Sequence, residues 1–143
     1  MRPTARPHPS IAWPSVAQVW SAPVRFVECD MQGIVFNAHY LVWADEALTP
    51  WWIERGIDWG RFGAEGYQYV VVASTLEWRS SARHGDTVTV DAELEKLGRT
   101  SLTVRFGIGV GDRSCCTVRT TYVCLRGGAP TAWPEDLRAS LAG

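Results

Sequence analysis

Apolar and polar residues alternate along two consecutive segments of this chain, and this alternation limits the fold more than any other feature. In residues 86–97 (DTVTVDAELEKL) and again in residues 101–110 (SLTVRFGIGV), nearly every second side chain is apolar. A period of two is that of a β-strand with one buried face. The short glycine-containing turn between the segments predicts a hairpin. We therefore expect an antiparallel sheet.

Three more segments predict strands. Residues 67–82 begin with an apolar run, and residues 114–126 alternate more loosely. The turns RHGD and GVGDRS separate these segments from their neighbours, so the four strands form a meander. Residues 16–30 have partial alternation and predict a strand before the meander. The sheet thus has five predicted strands.

A helix is predicted between the first strand and the meander, over residues 38–55, with Gly56 at its C-terminal end. Pro50 lies inside the pattern, so a kink or an end near Leu48 is one alternative. A second helix is predicted over residues 134–142. The long helix has one apolar stripe, made of Tyr40, Ala44, Ala47, Leu48 and Trp51, with Glu46 and Thr49 opposite. Only the sheet is large enough to cover this stripe, which predicts an α+β fold with the sheet wrapped around the helix.

Composition excludes several classes of function. The net charge is -1 and the pI is about 6.3, which argues against a nucleic-acid-binding protein. No apolar run approaches the roughly 20 residues that a membrane span needs. The four cysteines have no zinc-type spacing, and we expect reduced thiols in a cytoplasmic protein. Residues 1–15 are proline-rich and predict a flexible leader, followed by a single domain over 16–143.

An acid and a glycine stand directly before the long helix, in CDMQGIVF. The N-terminus of a helix presents unpaired N–H groups and partial positive charge, which suit a developing oxyanion. Gly33 permits a tight turn and a close approach of substrate to the backbone. Asp30 is suited to act as a general base on water or as a nucleophile.

The chain resembles the hotdog-fold acyl-CoA thioesterases of the 4-hydroxybenzoyl-CoA thioesterase and YbgC type. Four motifs carry the resemblance, in the family's order: CDMQGIVF, HYLVWADEA, ARHGDTV and KLGRTSL. The resemblance implies a five-stranded antiparallel sheet around a central helix, in a homodimer or homotetramer with active sites at the protomer interface. It also implies that Asp30 is the catalytic carboxylate. The N–H groups around Phe36 and Asn37 would then polarise the thioester carbonyl.

The sequence departs from the family at the start of the helix. Many relatives have Tyr-His at the positions of Phe36 and Asn37, and Asn at the position of His39. We expect Asn37 to cap the helix, although it could also position substrate. We expect His39 to be structural and partly exposed. A second branch of the fold places its acid on the helix, which makes Asp45 the rival to Asp30, with Glu46 less favoured.

The resemblance implies hydrolysis of an acyl-CoA to a free acid and CoA, with no metal and no prosthetic group. Arg99 in KLGRTSL matches a basic position near the CoA phosphates, and arginine suits phosphate binding. Two alternatives remain: a thioesterase acting on acyl carrier protein, and a non-catalytic hotdog dimer that binds acyl-CoA. Four of the eight tryptophans lie in or just after the helix. They are expected mainly in the core, and any in the acyl pocket would favour a bulky or aromatic acyl group.

Overall fold

A computed structural model describes residues 18–142, so the predicted leader over residues 1–15 lies outside the described residues. The elements are strands β1 (Gln18–Pro23), β2 (Tyr67–Trp78), β3 (Thr87–Leu97), β4 (Ser101–Val110), β5 (Arg113–Arg126) and β6 (Ala129–Pro130), and helices α1 (His39–Glu54), α2 (Trp59–Ala64) and α3 (Glu135–Ala142). All strand pairs are antiparallel, in the order β1-β3-β4-β5-β2, and β6 pairs with β5. The predicted α+β class is confirmed, and β3, β4 and β5 form a meander as predicted. The prediction that β2 begins this meander beside β3 was wrong, because β2 pairs with β5 and β1 takes the place next to β3.

The inner face of the sheet packs against α1, as the two periodicities predicted. All five residues of the predicted stripe are buried, and Trp43 and Trp52 are buried with them. From the sheet, β3 and β4 contribute the alternating apolar residues Val88, Val90, Ala92, Leu102, Val104, Phe106 and Ile108. Each apolar side chain removed from water contributes about 1.5–3 kcal/mol of favourable transfer free energy. The burial of this stripe therefore fixes α1 against the sheet.

Helix α1 continues through Pro50, so the alternative of an end near Leu48 was wrong. Proline has no N–H to donate to the carbonyl four residues earlier, which disfavours it inside a helix. The next two residues, Trp51 and Trp52, are each no more than 1 % exposed. Their burial holds the last turn in place despite the missing hydrogen bond.

Three short elements were not predicted. The 3₁₀ turn Phe26–Glu28 replaces the second half of the strand predicted over residues 16–30, because β1 ends at Pro23. Helix α2 is capped by Asp58, whose side chain accepts the N–H of Arg61. Strand β6 has two residues and follows two glycines with positive φ. Elements this short carry little periodicity, so their sequence signal is weak.

The aromatic residues at the C-terminal end of α1 form one cluster. The ring of Trp52 lies 5.0 Å from those of Trp51 and Trp59 and 6.4 Å from that of Trp133. Phe62 of α2 stacks on Trp133. The expectation that the tryptophans in and after the helix are mainly packing residues is confirmed.

Candidate active site at the start of the central helix

The loop that carries Asp30 is a tight turn. The Asp30 carbonyl accepts the N–H of Gly33 at 3.0 Å, and the Asp30 N–H donates to the carbonyl of Ile34 at 2.8 Å. Gly33 has a φ of 76°, a region that favours glycine. Asp30 Oδ1 accepts the N–H of Gln32 at 2.8 Å. The turn therefore fixes one carboxylate oxygen of a half-buried side chain and leaves the other available.

Within residues 18–142, no side chain caps the start of α1. Its N-cap residue is Ala38. The favoured role of Asn37 as the cap is therefore wrong, and its side chain is exposed. The Phe36 N–H donates to the carbonyl of Glu28 at 3.0 Å, so it is not free for a substrate. Within residues 18–142, the N–H groups of Asn37 and Ala38 have no hydrogen-bond partner. The unpaired N–H groups are therefore those of Asn37 and Ala38, whereas the sequence predicted those around Phe36 and Asn37.

Asp30 and Asn37 line one cleft of about 360 Å³. The opposite wall comes from the end of β2 and the residues after it. There the indole Nε1 of Trp78 donates to the Asn37 carbonyl at 3.0 Å. The lining residues are Asp30, Gln32, Ile34, Val35, Asn37, Tyr40, Trp78, Arg79, Ser80 and Ser81. The cleft thus combines a carboxylate, the positive end of a helix and an aromatic wall.

His39 lies behind the helix start and does not line the cleft. Its Nε2 is 2.7 Å from Glu28 Oε2. Glu28 is only 5 % exposed, and it also accepts the Arg25 N–H at 2.6 Å and the Trp43 Nε1–H at 3.3 Å. Burial alone would raise the pKa of Glu28, but the hydrogen bonds from Arg25 and the attraction to His39 outweigh it and lower the pKa. His39 is half-buried, as expected of a structural histidine.

Asp45 lies in a different pocket from Asp30. It is exposed on α1, where it lines an apolar cavity of about 210 Å³ with Leu41, Val71, Ser74, Thr120 and Tyr122. Burial raises the pKa of Tyr122, and the negative charge of Asp45 raises it further. The structure does not bring Asp45 to the unpaired N–H groups at the start of α1. Glu46 is also exposed and makes no hydrogen bond within the described residues.

Arg99 lies far from the Asp30 cleft in the same chain. The Asp30 loop is next to the start of β3, since Ile34 bridges to Arg83. Arg99 follows the other end of this strand, whose 11 residues span about 35 Å. The arginine that lines the cleft is Arg79, whose Nη1 donates to Thr117 Oγ1 at 2.7 Å. Arg79 is thus a cationic side chain at the cleft, and a role of Arg99 in binding CoA stays a prediction.

Sequence reasoning missed Glu28, Trp78 and Arg79. The one available signal for Glu28 was an acid two residues before Asp30, and acids in loops are common. Trp78 and Arg79 are distant from Asp30 in the chain, and contacts between the Asp30 loop and the residues after β2 bring them there: Ile34 bridges to Arg83, and the Val35 N–H donates to the carbonyl of Ala82. Within residues 18–142, no group of three or more His, Cys, Asp and Glu residues could hold a metal ion. None of the helices in this part of the chain is long and apolar enough to cross a membrane.

Comparison with known proteins assigns the class. The model of the family described as the thioesterase-like superfamily matches residues 24–141. The chain belongs to this family, and the fold is the hotdog fold that the sequence motifs predicted. The class of activity is thioester hydrolysis.

Individual relatives cover most of the chain. A protein of Thermus thermophilus, TT1821, is 27 % identical with a TM-score of 0.82, over 88 % of this chain and 98 % of that one. A thioesterase of the same organism, solved in complex with coenzyme A and zinc, is 26 % identical with a TM-score of 0.75, over 85 % and 89 % of the two chains. Slr0204 of Synechocystis, a 1,4-dihydroxy-2-naphthoyl-CoA thioesterase, has a TM-score of 0.77 over 86 % and 93 %. At 14 % identity, that similarity shows the fold alone.

Proposed function

We propose that this protein hydrolyses acyl-CoA thioesters in the cleft at the start of α1, with Asp30 as the catalytic carboxylate. One observation carries the proposal: Asp30 shares a cleft with the N-terminus of a 16-residue helix that no side chain of the described residues caps. A carboxylate and preorganised N–H donors are the two groups that acyl transfer to water needs. The thioesterase relative in complex with coenzyme A supports CoA as the thiol of the substrate.

The geometry supports a defined first step. With the thioester carbonyl oxygen at the Asn37 N–H, negative charge develops at the positive end of α1, where it is stabilised. As a general base, Asp30 takes a proton from water while the water oxygen attacks the carbonyl carbon. The thiolate of CoA then leaves and takes up that proton. As a nucleophile, Asp30 attacks the carbon itself, expels the thiolate and forms an anhydride, which water hydrolyses to the acid.

The walls of the cleft favour an acyl group with a flat apolar part. Trp78 is 52 % exposed at the cleft, and Ile34 and Val35 lie on the same lining. Aromatic faces stack on flat groups with a stabilisation of about 0.5–1.5 kcal/mol beyond their buried area. We therefore expect aromatic acyl-CoAs to be better substrates than acetyl-CoA.

Thiol release from a panel of short, long and aromatic acyl-CoAs tests the function. We expect turnover by the wild type and a loss of about 100-fold or more in kcat for Asp30→Asn, with binding of substrate retained. Asp45→Asn is the matched control and should keep most of the activity, because Asp45 lies in another pocket. A loss of activity in Asp45→Asn but not in Asp30→Asn would make Asp45 the catalytic carboxylate. Turnover only with acyl carrier protein substrates would mean that the carrier protein, and not CoA, supplies the thiol of the substrate. Binding of acyl-CoA without turnover would support the non-catalytic dimer.

A further inference from the structure

The strongest unexplained feature is the buried carboxylate of Glu28. Four donor groups converge on it: the Arg25 N–H, the Arg25 guanidinium at 3.2 Å, His39 and the Trp43 indole. Burial of a charge is costly unless it is paired and hydrogen-bonded, so this site is built around a carboxylate. It does not line the Asp30 cleft. Glu28 therefore has no direct contact with the proposed reaction.

Glu28 closes the base of the loop that carries Asp30. Its backbone carbonyl accepts the Phe36 N–H at 3.0 Å. The next pair of residues into the loop, Cys29 and Val35, forms an isolated β-bridge. The backbone of Glu28 thus holds the last residue of the loop next to the first. These contacts fix the two ends of the segment between residues 29 and 36.

The side chain of Glu28 holds the first helical turn to the same point. His39 is the first residue of α1, and Trp43 lies one turn later on the same face. Both donate to Glu28 Oε2, from the side of the helix away from the cleft. No side chain in the described part of the chain caps α1, and this pairing restrains the helix start without occupying the N–H groups of Asn37 and Ala38.

We propose that Glu28, through His39, is a positioning residue that fixes the N–H groups at the start of α1 relative to the Asp30 carboxylate. The inference rests on the proposed function of that cleft. A loop and a helix end must hold their geometry to within fractions of an ångström for efficient acyl transfer, and misplacement by about 1 Å can cost about 100-fold in rate. One buried carboxylate that contacts both elements supplies that restraint.

Two variants test the kinetic consequence. We expect Glu28→Gln to lower kcat about 10- to 30-fold with KM changed less than about twofold, since the substrate contacts remain. His39→Gln should have a similar effect, and the double variant should be no worse than either single one, because both remove the same contact. Glu46→Gln is the matched control, an exposed carboxylate on α1. Additive losses, or full kcat in Glu28→Gln, would overturn the proposal.

Amide hydrogen exchange gives a readout that needs no turnover. The reporters are the Phe36 N–H, bonded to Glu28, and the Asp30 N–H, bonded to Ile34. We expect both to exchange about tenfold faster or more in Glu28→Gln and in His39→Gln, with the β3–β4 amides unchanged. Equal changes in both regions, or none, would leave Glu28 a stability residue only and overturn the proposal. If the wild type hydrolyses no thioester, the proposed function fails, while this measurement still decides the positioning role.

Discussion

At the scale of single residues, Glu28 and Asp91 show that two carboxylates of one fold respond to their surroundings in opposite ways. Hydrogen bonds and His39 outweigh the burial of Glu28 and lower its pKa. Burial dominates at Asp91 on β3 and raises its pKa, although Arg105 opposes the shift. Asp91 Oδ1 is also a buried atom without a hydrogen-bond partner within the described residues. The two groups should therefore contribute with opposite sign to the dependence of stability on pH.

Glu28 is expected to stabilise the fold above its ordinary pKa of 4.5. Since the pKa is lower in the folded protein, this stabilisation is fully present above that value and is lost as the pH falls through the folded pKa. Thermal unfolding at pH 7 should give a lower Tm for Glu28→Gln than for the wild type. The difference should shrink as the pH is lowered from about 5 toward about 3. A difference that stays constant over this range would contradict the assigned charge.

Asp91→Asn is expected to stabilise the protein at pH 7. The pKa of Asp91 is raised above 3.8, so ionisation costs stability as the pH rises through that window, and the cost is fully present at neutral pH. Removal of the charge should raise the Tm at pH 7 by about 2 °C and should have no effect below about pH 3.8. Glu95→Gln, at an exposed position on the same strand, is the control. A lower Tm at pH 7 would mean that the pairing with Arg105 outweighs burial.

At the scale of elements, α1 combines a destabilising residue with burial that compensates for it. Pro50 removes one hydrogen bond in the later part of the helix, and proline inside a helix costs about 3 kcal/mol relative to alanine. Proline also restricts the conformations of the unfolded chain, and this lower entropy of the unfolded state offsets about 1 kcal/mol of the cost. The helix persists because Trp51 and Trp52 remain packed in the aromatic cluster.

Pro50→Ala is therefore expected to raise the free energy of unfolding by about 1–2 kcal/mol, measured by urea denaturation. Thr49→Ala, at the exposed neighbouring position, should change stability by less than about 0.5 kcal/mol. Thiol release should be the same in both variants, because the proposed site is at the other end of α1. A loss of stability in Pro50→Ala would show that proline fits the local backbone better than alanine.

At the scale of the whole molecule, the sheet has one unusually apolar edge. Strand β2 is at that edge, and Val70, Val71 and Val72 are between 40 % and 56 % exposed. On the adjoining face of α1, Leu41 and Val42 are exposed as well. Unpaired edge strands with apolar side chains are prone to pair with another chain. We propose that two copies of this chain associate along β2. The family resemblance predicted a homodimer or homotetramer without placing the contact.

Val71→Lys tests this association. A charge at the centre of the proposed interface should convert a dimer into a monomer, as measured by size-exclusion chromatography with light scattering. Ser21→Lys on β1, the opposite edge of the sheet, should leave the dimer intact. If the partner's β3–β4 turn reaches the cleft, Arg99→Ala should raise the KM for acyl-CoA several-fold in the dimer. A monomeric wild type would contradict both the association along β2 and the expected effect of Arg99→Ala.

The sequence alone determined the elements with strong periodicity and the local chemistry around Asp30. Alternation over residues 86–97 and 101–110, the stripe on α1 and the Asp–Gly turn before it all depend on residues close together in the chain. For the same reason, the motifs that placed this chain among the hotdog thioesterases were visible without a structure. Local spacing fixes which face of a strand or helix is apolar. It does not fix which distant residues meet.

The tertiary structure decided what faces Asp30 and what holds it. Trp78 and Arg79 reach the cleft because the Asp30 loop bridges to the segment after β2, and Arg99 is left at the far end of β3. The free donors are those of Asn37 and Ala38, because the carbonyl of Glu28 takes the Phe36 N–H. Glu28 looks like an ordinary loop acid in the sequence. Only the packing of α1 against the 3₁₀ turn buries its charge and surrounds it with donors, since burial is a property of the whole fold.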